Sequence, residues 1–256
     1  MRKDRARRFH LVLLLLPLFA GACRVPPGAG GARAFQRGLW VTRWDFRRAA
    51  DVERIVADAA GLGFDHILFQ VRGNGDALYR SEIEPWSELL GGGDPGFDPL
   101  AVAVAAGRRR GLAVHAWVNV VAGWRGLEPP RSREHLYHTR PGWFLVGRDG
   151  RRQPLKKDYY VALNPCLPEV RAHLARVCAD IAGRYGVAGL HLDYIRFLET
   201  GAEEDYPRDP RSLELFRRET GAAGPEADPA RWDRWRRECV DRLVQEIAAA
   251  ARQARP

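Results

Sequence analysis

Apolar residues recur along this chain in two periods, and the two periods alternate. Four short runs of β-branched, aromatic and aliphatic residues read as strands: Gly38–Asp45, His66–Arg72, Ala113–Val120 and Val187–Tyr194. Each is followed, after a loop, by a helical pattern. Asp51–Leu62 carries Val52, Ile55, Val56, Ala59 and Ala60 as its apolar positions. Asp98–Gly111 is rich in Ala and Val, with Asp98 placed to cap it, Pro99 in its first turn and Gly111 to stop it. Glu169–Tyr185, opened by Pro168, aligns Val170, Leu174, Val177, Cys178, Ile181 and Tyr185 on one stripe. Arg211–Glu219 and Trp232–Ala251 read as two more helices, the second with Val240, Leu243, Val244 and Ile247 inward. Strands alternating with helices predict βαβ units and a parallel sheet, hence an α/β fold.

Side-chain parity adds a site to this sheet, because successive side chains of a strand face opposite ways. Ile67, Phe69 and Val71 share one face of the second strand, and Gln70 and Arg72 the other. In the third, Val114, Ala116 and Val118 oppose His115, Trp117 and Asn119; in the fourth, Leu190 and Leu192 oppose His191 and Asp193. A sheet buried on both faces is aliphatic on both. Here one face is aliphatic and the other polar, with the polar groups near the strand ends. A (β/α) barrel places its active site at that end of its strands. A doubly wound sheet also fits the alternation. However, no GxGxxG or Walker loop follows the first strand, and the glycines of VRGNGDALY lack nucleotide-site spacing.

The 256 residues are 46% hydrophobic and 29% charged, which describes a globular chain with one sizeable core. That excludes disorder over most of the length, and also a polytopic membrane protein. The net charge is +9, of which the first 22 residues supply +4. Lysine occurs only at Lys3, Lys156 and Lys157, so nearly all the basic residues are Arg, scattered among acids rather than forming a stripe. No nucleic-acid partner is expected, whereas an anionic polymer or a membrane surface is compatible with the charge. Residues 1–23, MRKDRARRFHLVLLLLPLFAGAC, join a basic stretch, an apolar run from Leu11 to Ala20 and small residues. The run is about half a bilayer span, so the segment reads as an export signal, with Ala20-Gly21-Ala22 suiting cleavage. Cys23 follows directly, as in a bacterial lipoprotein, and is expected to be lipidated; plain secretion is the alternative. Residues 24–34 read as a tether. Cys166, Cys178 and Cys239 remain, an odd number, with the first two about 18 Å apart along one helix. No disulfide framework, metal site or organic cofactor is expected.

Four segments occur in order: RGLWVTRWDF at 37–46, FQVRGNGDALYRSEIEPWS at 69–87, GFDPLAVAVAAGRRRGLAVHAWVN at 96–119 and LNPCLPEVRAHLARVCADIAGRYGVAGLHLDYIRF at 163–197. Together they resemble the glycosyl-hydrolase-like 10 family, from about Arg37 to the helix near Ala250. The resemblance implies a TIM-like (β/α) barrel, an envelope location and hydrolysis of glycosides. The family includes divisome-associated lipoproteins that cleave peptidoglycan glycan strands lacking stem peptides. Its barrel continues past the helix at 232–251, so four βα units and an incomplete barrel are expected here. The implied organisation is a signal peptide at 1–22, the anchor Cys and tether at 23–36, and a partial barrel at 37–256. The implied partners are peptidoglycan glycan, a membrane through the lipid anchor, and envelope or division proteins.

Glycoside hydrolysis usually uses two carboxyl groups. Asp193 ends the fourth strand on the polar face, with Tyr194 and Arg196 after it, and is the first candidate for nucleophile or base. The alternative is that it only orders Arg72 or Arg196. Asp76 is either a second carboxylate, a ligand for sugar hydroxyls, or a turn former after Gly75. Arg72 either binds a substrate carboxylate, orients Asp193, or serves a structural ion pair. Trp117 suits stacking on a sugar or core packing, and Asn119 suits a hydroxyl. Gln70 and His115 lie deeper. Tyr79, Tyr194 and Asn164 are further cleft candidates, with Asn164 alternatively a cap before Pro165. Glu199, Glu203 and Glu204 form an acidic loop that either holds a general acid or is simply solvated. Three functions follow: a hydrolase of cell-wall glycan, a glycan-binding envelope lipoprotein without turnover, or a structural envelope protein that uses the fold as a scaffold.

Overall fold

The computed structural model describes residues 35–197 and 205–256. The expected export signal, Cys23 and the acidic residues Glu199, Glu203 and Glu204 lie outside the described residues. In chain order the elements are β1 (Gly38–Val41), α1 (Ala49–Gly61), β2 (His66–Arg72), α2 (Pro99–Arg110), β3 (Ala113–Asn119), β4 (Ala122–Trp124), α3 (Leu136–Thr139), β5 (Val161–Ala162), α4 (Pro168–Arg184), β6 (Gly189–Asp193), α5 (Pro210–Thr220) and α6 (Pro229–Ala254). The main sheet has the order β1-β2-β3-β6 and every pair in it is parallel. This is the α/β arrangement that the alternating pattern predicts. Among the described residues β1 and β6 are its two edges.

The aliphatic faces of β2 and β3 are buried, Ile67, Phe69, Val71, Val114, Ala116 and Val118 all packing into the core, whereas Leu190 and Leu192 of β6 are half-buried. The predicted stripe of α4 is buried too, and Gly107 of α2 comes so close to β3 that a Cβ there would meet Val114 Cγ2 at 2.6 Å. The capping of α2 follows the sequence: Asp98 accepts from Leu100 N and Ala101 N, Pro99 opens the helix and Gly111 closes it at φ +71°. The other face of the sheet is more open, with Trp40 54% exposed and His115, Trp117 and His191 half-buried.

Four expectations need correction. The first strand stops at Val41 instead of Asp45, because the Asp45 carboxylate takes Thr42 N (2.7 Å) and Thr42 Oγ1 (2.9 Å) and closes a turn. In β2 a bulge falls between Gln70 and Arg72, so Arg72 stands opposite Val118 and out of step with Gln70. The two therefore do not share a face. In α6 the buried stripe is Trp232, Trp235, Cys239, Leu243 and Ile247. Val244 lies about 100° around the helix from Leu243 and is exposed, and Val240 is only half-buried. Finally, the loop between β3 and α4 holds β4 and β5, paired antiparallel, and the single turn of α3. These are too short to show a period in sequence.

Candidate active site

The C-terminal ends of β3 and β6 place Asn119 beside Asp193. Asp193 has a side chain 30% exposed, and both of its oxygens accept a hydrogen bond: Oδ2 from Trp117 Nε1 at 3.1 Å and Oδ1 from the backbone N–H of Tyr194 at 2.7 Å. Arg196 Nη1 stands 3.9 Å from Oδ1. Tyr194 adopts φ +48°, a left-handed conformation that non-glycine residues seldom hold outside functional sites. This turn aims its amide back at the Asp193 carboxylate. The Tyr194 ring packs edge-on to Tyr160 at 4.9 Å, and the Arg196 guanidinium lies 5.0 Å above it. Burial, with Tyr160 and Asp193 nearby, raises the Tyr194 phenol above its ordinary pKa.

Tyr160 connects this group to the ends of β1 and β2. Its hydroxyl accepts from Arg43 Nη2 at 3.1 Å and from Asn119 Nδ2 at 3.3 Å. The Arg43 backbone N–H donates to Gln70 Oε1 at 3.0 Å. Trp44, 51% exposed, stacks under the Arg43 guanidinium at 4.4 Å from its ring centre. Asp193, Trp117, Asn119, Tyr194, Arg196 and Gln70 thus belong to one cluster, completed by Arg43, Trp44 and Tyr160.

The remaining candidates lie elsewhere. Arg72 is fully buried in an ion pair with Glu84 (Nε–Oε2 2.7 Å, Nη2–Oε1 2.9 Å) and donates Nη1 to the carbonyls of Asn119, Val120 and Ala122. It therefore faces neither Asp193 nor solvent. His173 of α4 holds the other side of Glu84 at 3.1 Å. Burial pushes the Glu84 acid up, but the Arg72 charge and the His173 bond outweigh it and hold the group well below the usual carboxylate range. Asp76 is 3% exposed and its Oδ1 accepts from Asn74 N, two residues earlier in the loop after β2, at 3.0 Å; it shares no hydrogen-bond partner with Asp193 among the described residues. Tyr79 is fully buried against Tyr185, and burial raises its phenol. Asn164 is buried and ties the α4 approach to α5: Nδ2 donates to Asp209 Oδ2 and Ser212 Oγ, and Oδ1 accepts from Cys166 N. His115 meets His66 at 3.0 Å further down the open face, and burial and the neighbouring histidines lower its pKa.

Sequence reasoning passed over Arg43, Tyr160 and Glu84. Arg43 carries a faint signal, a charge near the end of the predicted first strand and next to Trp44. Tyr160 and Glu84 sit in loops where no period marks them. Among the described residues no group of three or more His, Cys, Asp or Glu is arranged to hold a metal ion, and no described helix is long and apolar enough to cross a membrane.

Residues 36–256 match the family described as glycosyl hydrolase-like 10. The chain belongs to this family. Glycosyl hydrolase DigH of Escherichia coli (strain K12) is 29% identical over 201 residues, covering 76% of this chain and 43% of the relative. Glycosyl hydrolase YngK of Bacillus subtilis (strain 168) is 25% identical over 238 residues, covering 86% and 43%. The chain thus spans somewhat under half the length of these curated relatives. Among solved structures, α-L-fucosidase isoenzyme 2 from Paenibacillus thiaminolyticus superposes with TM-score 0.60 at 14% identity, over 86% of this chain and 31% of that one. The PgaB (BpsB) glycoside hydrolase domain from Bordetella bronchiseptica gives 0.60 at 14%, over 86% and 62%. At such identities the likeness is one of fold.

Proposed function

We propose that this protein hydrolyses bacterial cell-wall glycan, with Asp193 as the carboxylate that attacks the anomeric carbon or activates the water that does. The observation that carries the reading is the Asp193 carboxylate itself. It sits at the C-terminal end of a parallel strand, partly open, with each oxygen oriented by an N–H donor. Beside it are the half-buried rings of Trp117 and Tyr194, and across Tyr160 and Arg43 lies the exposed Trp44; their ring faces suit the apolar faces of sugars. In hydrolysis the new bond forms at the anomeric carbon as the glycosidic bond breaks, and the leaving oxygen takes a proton from a second carboxyl group. The names of the relatives, both glycosyl hydrolases, support the reaction class. We further propose export and anchoring through lipidated Cys23, which places the protein at the envelope where such glycan lies.

One observation favours a second reading, glycan binding without turnover. Asp76, the other carboxylate candidate, is buried in the loop after β2. Incubating the exported form with glycan strands stripped of stem peptides distinguishes the two. Shortened products from the wild type, lost by about 10²–10⁴-fold in Asp193→Asn while binding persists, support hydrolysis. Binding with no shortening by either protein supports the second reading. Turnover by Asp193→Asn equal to wild type removes the role given to Asp193.

A further inference from the structure

Among the described residues Arg43 is a buried cation without an anion. It is 2% exposed, yet the only polar contact of its guanidinium with a described residue is the one from Nη2 to the Tyr160 hydroxyl. Nε and Nη1 are both out of contact with solvent and have no hydrogen-bond partner. Buried guanidinium groups ordinarily face a carboxylate or several carbonyls, as Arg72 does 29 residues later. The Tyr160 hydroxyl adds a third free donor. Its oxygen accepts from both Arg43 Nη2 and Asn119 Nδ2, which occupies its two lone pairs and leaves its own hydrogen without an acceptor among these partners.

The position is built to hold this arginine. A Cβ on residue 73 would stand 2.2 Å from Arg43 Nη1 and 2.7 Å from its Cδ, so Gly73 leaves the space the side chain fills. Gln70, from the neighbouring strand, fixes the Arg43 backbone. The half-exposed indole of Trp44 covers the guanidinium face, and Arg125 brings a second positive charge within 5.9 Å of the Tyr160 ring. One full charge and three unmet donors point to an anion.

We propose that Arg43 and Tyr160 form the receptor for a carboxylate carried by the glycan: the lactyl-ether carboxylate of a muramic acid residue, bound when its sugar displaces the Trp44 indole. This rests on the cell-wall glycan reading above and narrows it to the acidic sugar. It makes Arg43 the residue that distinguishes peptidoglycan strands from neutral N-acetylglucosamine polymers.

The test is calorimetric binding of two tetrasaccharides, one of alternating N-acetylglucosamine and N-acetylmuramic acid and the other chitotetraose, to wild type, Arg43→Met and Arg43→Lys. The expected result is wild-type preference for the acidic sugar by tenfold or more. Arg43→Met should abolish that preference, and Arg43→Lys should retain part of it. Equal wild-type affinity for the two sugars overturns the proposal and leaves the glycan reading standing. Parallel weakening of both sugars in Arg43→Met also overturns it, since that marks a structural arginine. Wild-type binding to neither sugar defeats both readings. The melting temperature gives a separate check, because removing an unpartnered buried charge should leave it unchanged or higher. If Arg43→Met fails to fold, that expectation is refuted, and the Arg43→Lys comparison still reads the preference.

Discussion

At the scale of single residues the most demanding interaction is the buried trio of Arg72, Glu84 and His173. All three side chains are nearly inaccessible, and Glu84 is held by both bases. Removing one member of such a group strands a charge in the interior, at a cost of about 3–5 kcal/mol. Arg72→Met should therefore lower the urea midpoint sharply, and Arg72→Met combined with Glu84→Leu should recover much of the loss. The pH dependence has a definite sign. Glu84 titrates lower in the folded chain than its ordinary value of 4.5, so its contribution is complete above about pH 4.5 and is lost as pH falls toward the folded value. Urea unfolding followed from pH 7 to pH 3 should show that decline in wild type and a smaller one in Glu84→Gln. The sequence offered the structural ion pair for Arg72 only as one alternative. Its true partner was illegible because Glu84 lies in an aperiodic loop, and because the bulge that turns Arg72 away from Gln70 leaves no mark in the alternation. Asp193 was legible because parity and position both act within one five-residue strand.

At the scale of elements, the strongest local sequence signal was Asp98-Pro99 with Gly111, and the helix it predicts begins and ends one residue inside those limits. Asp98 does more than cap. Its Oδ2 also accepts from Arg80 N and from the Tyr185 hydroxyl at the end of α4, so one carboxylate joins α2 to α4. Losing the cap costs about 1 kcal/mol, and losing the buried hydroxyl bond about 1 kcal/mol more. Asp98→Ala should thus destabilise by about 2 kcal/mol and Asp98→Asn by less, as measured by chemical unfolding. β2, β3 and five of the helices were readable for the same reason: each buries one face over enough residues to show its period. Elements of two to four residues, β4, β5 and α3, bury no such repeat. Their positions depend on contacts with distant segments, such as the bond from Leu163 N to Val121 O.

At the scale of the whole molecule, the sheet order β1-β2-β3-β6 comes from parallel crossovers that set each strand beside the preceding strand of the same sheet. What the alternation does not specify is the state of the outer edge of β6. Val120 N donates to Asp193 O, and Ala116 and Val118 stand opposite Leu190 and Leu192. Because in-plane N–H and C=O directions alternate along a strand, the amides of His191 and Asp193 face β3, whereas those of Leu190 and Leu192 face the free edge among the described residues. The side chains of β6 are half-buried along its whole length, unlike those of β2, whose residues from Phe69 to Arg72 are all buried. Amide exchange followed by NMR should therefore split β6 by parity: His191 and Asp193 protected nearly as well as Phe69, Leu190 and Leu192 exchanging as exposed groups. Uniform protection across Leu190–Asp193 would mean that a further strand pairs with that edge in solution. Asp193 would then be flanked on both sides, and its carboxylate would sit within a closed rim instead of at the margin of an open sheet.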